Sequence, residues 1–104
     1  MVKYLLNGFS FSMPRPESGL LVWHSLTEEE FLEQTRYNNV ISCIGHKDLA
    51  RLLNVEYNRE SITLNVGDVA YIVYLKGGRL PEGAKTLPDG VELGFNCVKI
   101  LEEI

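Results

Sequence analysis

The sequence predicts one α+β domain, with about five strands in a single mixed sheet and two helices packed on it. Short apolar and β-branched runs alternate with turn residues, and two stretches have the apolar spacing of helices. No repeat, linker or low-complexity tract divides the 104 residues. Since 45% of residues are hydrophobic and 23% charged, the chain has an ordinary globular composition. A single domain covering 1–104 is expected.

The first half of the chain predicts two strands and a helix. The runs VKYLL (2–6) and LLVW (20–23) are typical of short strands and flank a polar loop that contains prolines. Thr27 and Glu30 form a capping-box pattern, in which Thr27 accepts from the amide three residues on and Glu30 reaches back. This pattern predicts a helix from about Glu28 to Arg36.

The second half predicts further strands and a second helix. The apolar run NVISCI (39–44) indicates a buried strand, and leucines at 49, 52 and 53 predict a helix that begins near Gly45. The runs SITLNV and VAYIVYL flank Gly67-Asp68, which predicts a β-hairpin because glycine supplies the positive φ of a tight turn. After a glycine-rich loop, residues 91–100 are predicted to form the last strand.

Charge and cysteine content exclude several classes of protein. The net charge of -4 disfavours broad binding to long nucleic acid, but a few basic residues can still hold a small anion. Cys43 and Cys97 have apolar neighbours and fit no CxxC motif, which indicates buried free thiols in a reducing cytosol. The N-terminal apolar run is too short for a signal peptide or a membrane span, so a cytoplasmic protein is expected. No metal-ligand spacing is present, and neither a metal nor a cofactor is expected.

Three residues have the chemistry needed to bind a phosphate or to transfer a proton. His46, in SCIGH, is predicted at a helix start, where a phosphate can bind unpaired amides and favour an imidazolium that serves as general acid. The alternative is a structural histidine that donates to a carbonyl. Arg79 and Glu82, in GGRLPEG, combine a phosphate clamp with a group that exchanges protons. Taken in isolation, an exposed loop with a solvated ion pair is the better explanation of this motif.

Four segments in order resemble one known family over nearly the whole chain. YLLNGFS, SCIGH, the NR before a predicted strand, and GRLPEGAKTL are together similar to the small viral and mobile-element type III anti-CRISPR ring nucleases. Members of that family degrade cyclic tetra-adenylate, the messenger that activates type III CRISPR defence nucleases. The resemblance implies a homodimer whose two-fold axis matches the cyclic ligand, so that each binding residue is supplied twice.

The resemblance also implies roles for individual residues. Its catalytic pair matches His46 and Glu82, and its ligand-contacting residues match Asn7, Ser10, Arg59 and Arg79. A glutamine of some members is replaced here by Leu75 or its neighbours. The implied reaction needs no metal. A ribose 2′-OH attacks the adjacent phosphorus and leaves linear di-adenylate with a 2′,3′-cyclic phosphate. If a virus encodes the protein, the reaction is expected in the host cytoplasm.

Two other functions remain open at this point. The protein could bind and sequester a cyclic oligonucleotide without cutting it, or it could be a small virion or partner-binding protein. The presence of both His46 and Glu82 favours an enzyme, because simple binding does not require a group that titrates near neutral pH.

Overall fold

The computed structural model describes residues 1–36 and 39–104 of the chain. This part forms the predicted α+β arrangement of one five-stranded mixed sheet with two helices. In chain order the elements are β1 (Lys3–Leu6), β2 (Gly19–Leu26), α1 (Glu28–Arg36), β3 (Val40–Cys43), α2 (Lys47–Leu53), β4 (Val69–Lys76) and β5 (Glu92–Glu103).

The sheet has the strand order β2-β5-β4-β1-β3, with β1 parallel to both of its neighbours. Leu6, the last residue of β1, lies opposite Cys43 of β3 and Ile72 of β4. The pairs β4–β5 and β5–β2 are antiparallel. The carboxyl ends of β1, β3 and β4 therefore lie at the same end of the sheet. Strand β4 continues beyond the other two as far as Lys76.

Helix α1 has the bounds that its capping box predicts. The Thr27 amide donates to Glu30 Oε1 at 2.9 Å, and the Glu30 amide donates to Thr27 Oγ1 at 3.1 Å. The hydrogen bond from the Thr27 backbone, followed by that from its side chain, lowers the pKa of the Glu30 carboxyl. A local pattern of two side chains thus fixes where this helix begins.

Each face of the sheet has its own core. The helices cover one face, where Phe31 of α1 stacks at 4.7 Å, between ring centroids, on Phe95 of β5. Loops 7–18 and 56–66 cover much of the other face. The residues that they pack against the sheet there are Phe9, Met13, Ile62 and Leu64.

The predicted hairpin around Gly67-Asp68 is wrong. Residues 61–66 form no strand, and Leu64 makes only an isolated bridge, with Pro14. Both edges of β4 are already occupied, by β1 and by β5, so no edge remains for a hairpin partner. The alternating Ile62 and Leu64 are apolar because this segment lies across the loop-covered face of the sheet.

A buried carboxylate closes the turn that replaces the hairpin. Asp68 is 4% exposed; its Oδ1 accepts from the Val2 amide at 3.0 Å and its Oδ2 from the Asn65 amide at 2.9 Å. Gly67 has φ 92, as the turn prediction requires, and the Asp68 amide donates to the Asn65 carbonyl. Asp68 thereby joins the N-terminus of the chain to the start of β4.

The edge strand β2 is longer than predicted and strongly exposed. It runs from Gly19 to Leu26 and pairs on one side only, with β5. Leu20, Val22 and Trp23 are 48%, 40% and 67% exposed. This edge is three strand positions away from β1, so it lies far from the carboxyl ends of β1 and β3.

Two expectations about cysteines and membranes can be compared with the structure. Cys43 and Cys97 are buried free thiols, as predicted, and burial raises the pKa of both. Within residues 1–36 and 39–104, no helix has the length and apolar character needed to cross a bilayer.

We expect Asp68→Ala to lower the free energy of unfolding by about 2 kcal/mol, because the amides of Val2 and Asn65 lose their acceptor. Urea unfolding measures the change. Asp89→Ala is the matched control, since Asp89 is an exposed turn residue. Equal stabilities of the two variants would show that the buried carboxylate does not hold the N-terminus in place.

Candidate functional site

The candidate residues other than Arg59, which follows α2, lie on three loops that come after the three parallel strands. Asn7 comes directly after β1, His46 comes after β3, and Arg79 and Glu82 lie in the loop after β4. Ligands of sheets with parallel strands usually bind just beyond the carboxyl ends of those strands. Residues that are far apart in sequence thus come to one end of the sheet.

A cleft of about 330 Å³ opens between the ends of β1 and β3. Its lining residues are Leu6, Asn7, Gly8, Met13, Cys43, Gly45, Asn58, Arg59, Glu60, Ser61 and Ile62. Asn7 Oδ1 accepts from the Gly45 amide at 2.9 Å, and a Cβ added to Gly45 would lie 3.6 Å from Arg59 Cγ. Two predicted ligand-binding residues, Asn7 and Arg59, therefore meet at Gly45, the residue before His46.

Asn58 fixes the backbone that carries Arg59, a role that the sequence alone does not reveal. The Asn58 amide donates to the Ile44 carbonyl at 3.0 Å, and its Nδ2 donates to the Ser42 carbonyl at 3.4 Å. Its Oδ1 accepts from the Glu60 amide at 3.0 Å. These bonds attach the loop to the end of β3. An asparagine directly before an arginine is a weak signal, because its partners are distant in sequence.

The cleft is not strongly positive within one chain. Among the described lining residues, the basic side chain of Arg59 stands beside the acidic side chain of Glu60. Burial, then the charges of Glu60 and Glu56, raise the pKa of the Cys43 thiol on the cleft wall. In residues 1–36 and 39–104, no three His, Cys, Asp or Glu side chains are grouped so as to hold a metal ion.

His46 is the N-cap of α2, one residue before the helix begins at Lys47. Its backbone is extended, with φ -112 and ψ 112, and its Nδ1 accepts from the Leu49 amide at 3.2 Å. The sequence correctly placed His46 at a helix start. The ring therefore has a structural contact, but it accepts from an amide instead of donating to a carbonyl. The Leu49 amide is also already paired, so it is no longer an open donor for phosphate.

The cap constrains the chemistry of the imidazole. Because the Nδ1 lone pair accepts a hydrogen bond, the capped ring is neutral and carries its proton on Nε2, where it can donate. An imidazolium has a proton on both nitrogens and cannot accept from the Leu49 amide. His46 can therefore cap the helix or act as a cationic acid, but it cannot do both at once.

Glu82 lies at the corner of a tight turn in the loop after β4. The Ala84 amide donates to the Pro81 carbonyl at 3.0 Å, and Gly83 has φ 75, as the third position of a type II turn requires. Arg79 and Glu82 are both exposed. Neither side chain forms a hydrogen bond or ion pair within the described residues, so both are available to a ligand.

The loop after β4 is attached at three points. Leu80 is buried in the core beneath the helices, and the Gly83 amide donates to Asp48 Oδ2 of α2 at 3.2 Å. At its base the loop narrows to a neck, where a Cβ on Gly77 would collide with the Gly90 carbonyl oxygen. These contacts direct the tip of the loop toward the first turn of α2, next to His46.

Among the predicted site residues, Asn7 and Arg59 line the cleft, whereas His46, Arg79, Glu82 and Ser10 lie outside it, as does Leu75. The Ser10 hydroxyl lies 2.8 Å from that of Ser12 and accepts from the Ser12 amide at 3.2 Å, inside its own exposed turn. Leu75 is partly buried against the core beneath the helices, so its side chain contributes apolar packing.

Comparisons with known proteins agree over most of the chain. A family model described as STIV B116-like matches residues 3–92, a range that contains every candidate residue. Protein ORF116 of Acidianus filamentous virus 1 is 32% identical in an alignment 95 residues long, which covers 86% of this chain and 80% of that protein. The structure of B116 of Sulfolobus turreted icosahedral virus has a TM-score of 0.81 and 26% identity, over 95% of this chain and 99% of its own. The chain belongs to the STIV B116-like family of archaeal virus proteins.

Proposed function

We propose that this protein is a metal-independent ring nuclease that cleaves cyclic tetra-adenylate to linear di-adenylate with a 2′,3′-cyclic phosphate. In the cytoplasm of an infected host this activity would inhibit type III CRISPR defence. The observation that carries the proposal is the convergence of Asn7, His46 and the loop of Arg79 and Glu82 at the carboxyl ends of three parallel strands.

The proposed site divides binding from chemistry. Asn7 and Arg59 bind phosphate in the cleft, where the Asn7 Nδ2 group remains a donor because its Oδ1 is bound to Gly45. Ser10 is a ligand contact only if its turn rearranges, since its hydroxyl is engaged with Ser12. Arg79 stabilises the charge that develops on the phosphoryl oxygens, for which a planar guanidinium is well suited.

Two side chains, Glu82 and His46, carry out the two proton transfers of the proposed reaction. The exposed Glu82 carboxylate accepts the proton of the 2′-OH as its oxygen forms a bond to phosphorus. The bond from phosphorus to the 5′-oxygen breaks in line, and protonated His46 donates a proton to the departing oxygen. Because the imidazolium cannot cap α2, the His46 contact to Leu49 opens in this step. A bound phosphate favours that change, since a nearby negative charge favours the imidazolium.

A second copy of the chain completes the proposed site. One chain offers Arg59 beside Glu60 in the cleft, which is little positive charge for a ring with four phosphates. A two-fold dimer supplies every binding residue twice. Pairing of two β2 edges would place the two clefts about eight strands apart, or roughly 40 Å at about 4.8 Å per strand. The shared-site dimer is therefore expected to form on the side of β3 and the neighbouring loops, where Ile41 and Tyr57 are 49% and 44% exposed.

We expect the purified protein to cleave labelled cyclic tetra-adenylate in the presence of EDTA, because all of the proposed groups belong to the chain. Chromatography of the labelled products separates the three candidate functions. Retention of intact ring would instead favour a sequestering protein. If the protein neither binds nor cleaves the ring, a virion or partner-binding role becomes the better explanation.

We expect His46→Asn to reduce single-turnover cleavage by roughly 10²–10⁴-fold, the range of general acid catalysis, while melting stays near that of wild type. Asparagine is a good N-cap residue and can still accept from the Leu49 amide. His46→Ala is the comparison, since it removes both the acid and the cap, and should also lose about 1 kcal/mol of stability.

The two variants separate catalysis from capping. If His46→Asn cleaves within about threefold of the wild-type rate, His46 is a structural cap and not the acid. Ligand affinity measured alongside should change little, because Asn7 and the arginines hold the phosphates.

A mass of twice the 11.8 kDa chain mass is expected from light scattering at micromolar concentration. Introducing a charge on each exposed edge strand tests where the two copies meet. Ile41→Glu on β3 should favour the monomer and lower cleavage. Val22→Glu on the distant β2 edge is the control and should do neither. A monomer that cleaves the ring at full rate would exclude the shared site.

A further inference from the structure

We propose that Asp48 is a positioning residue that clamps the loop after β4 onto α2 and so sets Glu82 in place relative to His46. This inference rests on the proposed function, because it concerns the two groups assigned there to proton transfer. Asp48 itself is not proposed to touch the ligand.

The two oxygens of the Asp48 carboxylate have separate partners. Oδ2 accepts from the Gly83 amide at 3.2 Å, and Oδ1 lies 3.3 Å from Arg51 NH2 on the next turn of the helix. The Asp48 side chain is 14% exposed, whereas that of Arg51 is 48% exposed. The exposed ion pair with Arg51 involves only Oδ1, and the other oxygen bonds the loop.

The clamp connects the two catalytic residues by a short path. Asp48 follows the His46 cap by two positions, in the first turn of α2. Gly83, its hydrogen-bond partner, directly follows Glu82. Because aspartate has a short side chain with few rotamers, the bond to Gly83 fixes the Glu82 backbone relative to the His46 backbone. Small errors in the placement of reacting groups can cost about 100-fold in rate.

The loop needs such a restraint near its tip. Leu80 anchors one side in the core, but residues 81–83, 85–87, 89 and 90 are exposed. The positive φ of Gly83, 75°, is the conformation in which its amide meets Asp48, and a side chain there would be strained. Loss of the Asp48 acceptor would leave the Glu82 corner free to move on its turn.

A purely structural role for Asp48 makes a different prediction. An acidic residue in the first turn of a helix stabilises the helix through its charge. Asp48→Asn removes that charge but keeps a side-chain oxygen that can accept from the Gly83 amide. A clamp therefore survives the change to asparagine, whereas a charge effect does not.

Amide hydrogen exchange in the ligand-free protein tests the clamp without any assumption about activity. We expect the Gly83 amide to be protected in wild type, Asp48→Asn and Arg51→Ala, and to lose that protection in Asp48→Ala. Two-dimensional NMR also reports whether each variant is folded. A Gly83 amide that exchanges at the unprotected rate in wild type would overturn the inference.

Single-turnover cleavage of cyclic tetra-adenylate tests the consequence. We expect Asp48→Ala to be roughly 10- to 100-fold slower at saturating ligand with affinity nearly unchanged, as for loss of alignment. Asp48→Asn and Arg51→Ala should stay within about threefold of wild type. The positioning role is wrong if Asp48→Ala frees Gly83 yet cleaves at the wild-type rate, or if Asp48→Asn is as slow as Asp48→Ala.

The two measurements also separate this inference from the proposed function. If the wild-type protein cleaves nothing, the proposed function is wrong, and exchange at Gly83 alone decides whether the clamp exists. If wild type cleaves the ring but Gly83 is unprotected, the function stands and the clamp is wrong.

Discussion

The parallel pairing of β1 with both β3 and β4 is the constraint on which the candidate site depends. It brings Leu6, Cys43 and Ile72 into one row across the sheet, so the loops beyond them leave from the same side. The cleft at Asn7 and the cap at His46 both begin within three residues of that row. Burial of β1 between its neighbours, with Leu5 and Leu6 only 4% and 3% exposed, keeps this alignment fixed.

Local patterns predicted the helices and most strands, because their causes lie within a few residues. The α1 start follows from the pair Thr27 and Glu30, which bind each other's backbone. The hairpin at Gly67 could not be judged in this way. Its turn residue was identified correctly, but the partner of β4 was decided by β1, more than 60 residues away, and by the Asp68 carboxylate that binds Val2. Strand alternation indicates which side chains are buried, not which strand lies alongside.

The sequence predicted which residues form the candidate site, but not the contacts that hold them in place. Resemblance to a family pointed to His46 and Glu82, but nothing in SCIGH shows that the imidazole accepts from Leu49. Asn58 and Asp48 were missed because both act on backbone amides or carbonyls far along the chain. The candidate site therefore contains residues that are available to a ligand and residues that hold the backbone beneath them. Sequence patterns indicate mainly the first group.

The glycine neck at the base of the loop after β4 has a consequence for how this protein can diverge. Gly77 and Gly90 bring the two backbones together, so β4 and β5 remain in register whatever lies between them. Lengthening a loop beyond such a closure adds little entropic cost, since that cost grows only with the logarithm of length. Insertions between the glycines alter the segment that contacts α2 and leave the sheet intact. Related proteins thus have a place where the length and sequence of the loop can change without a change of fold.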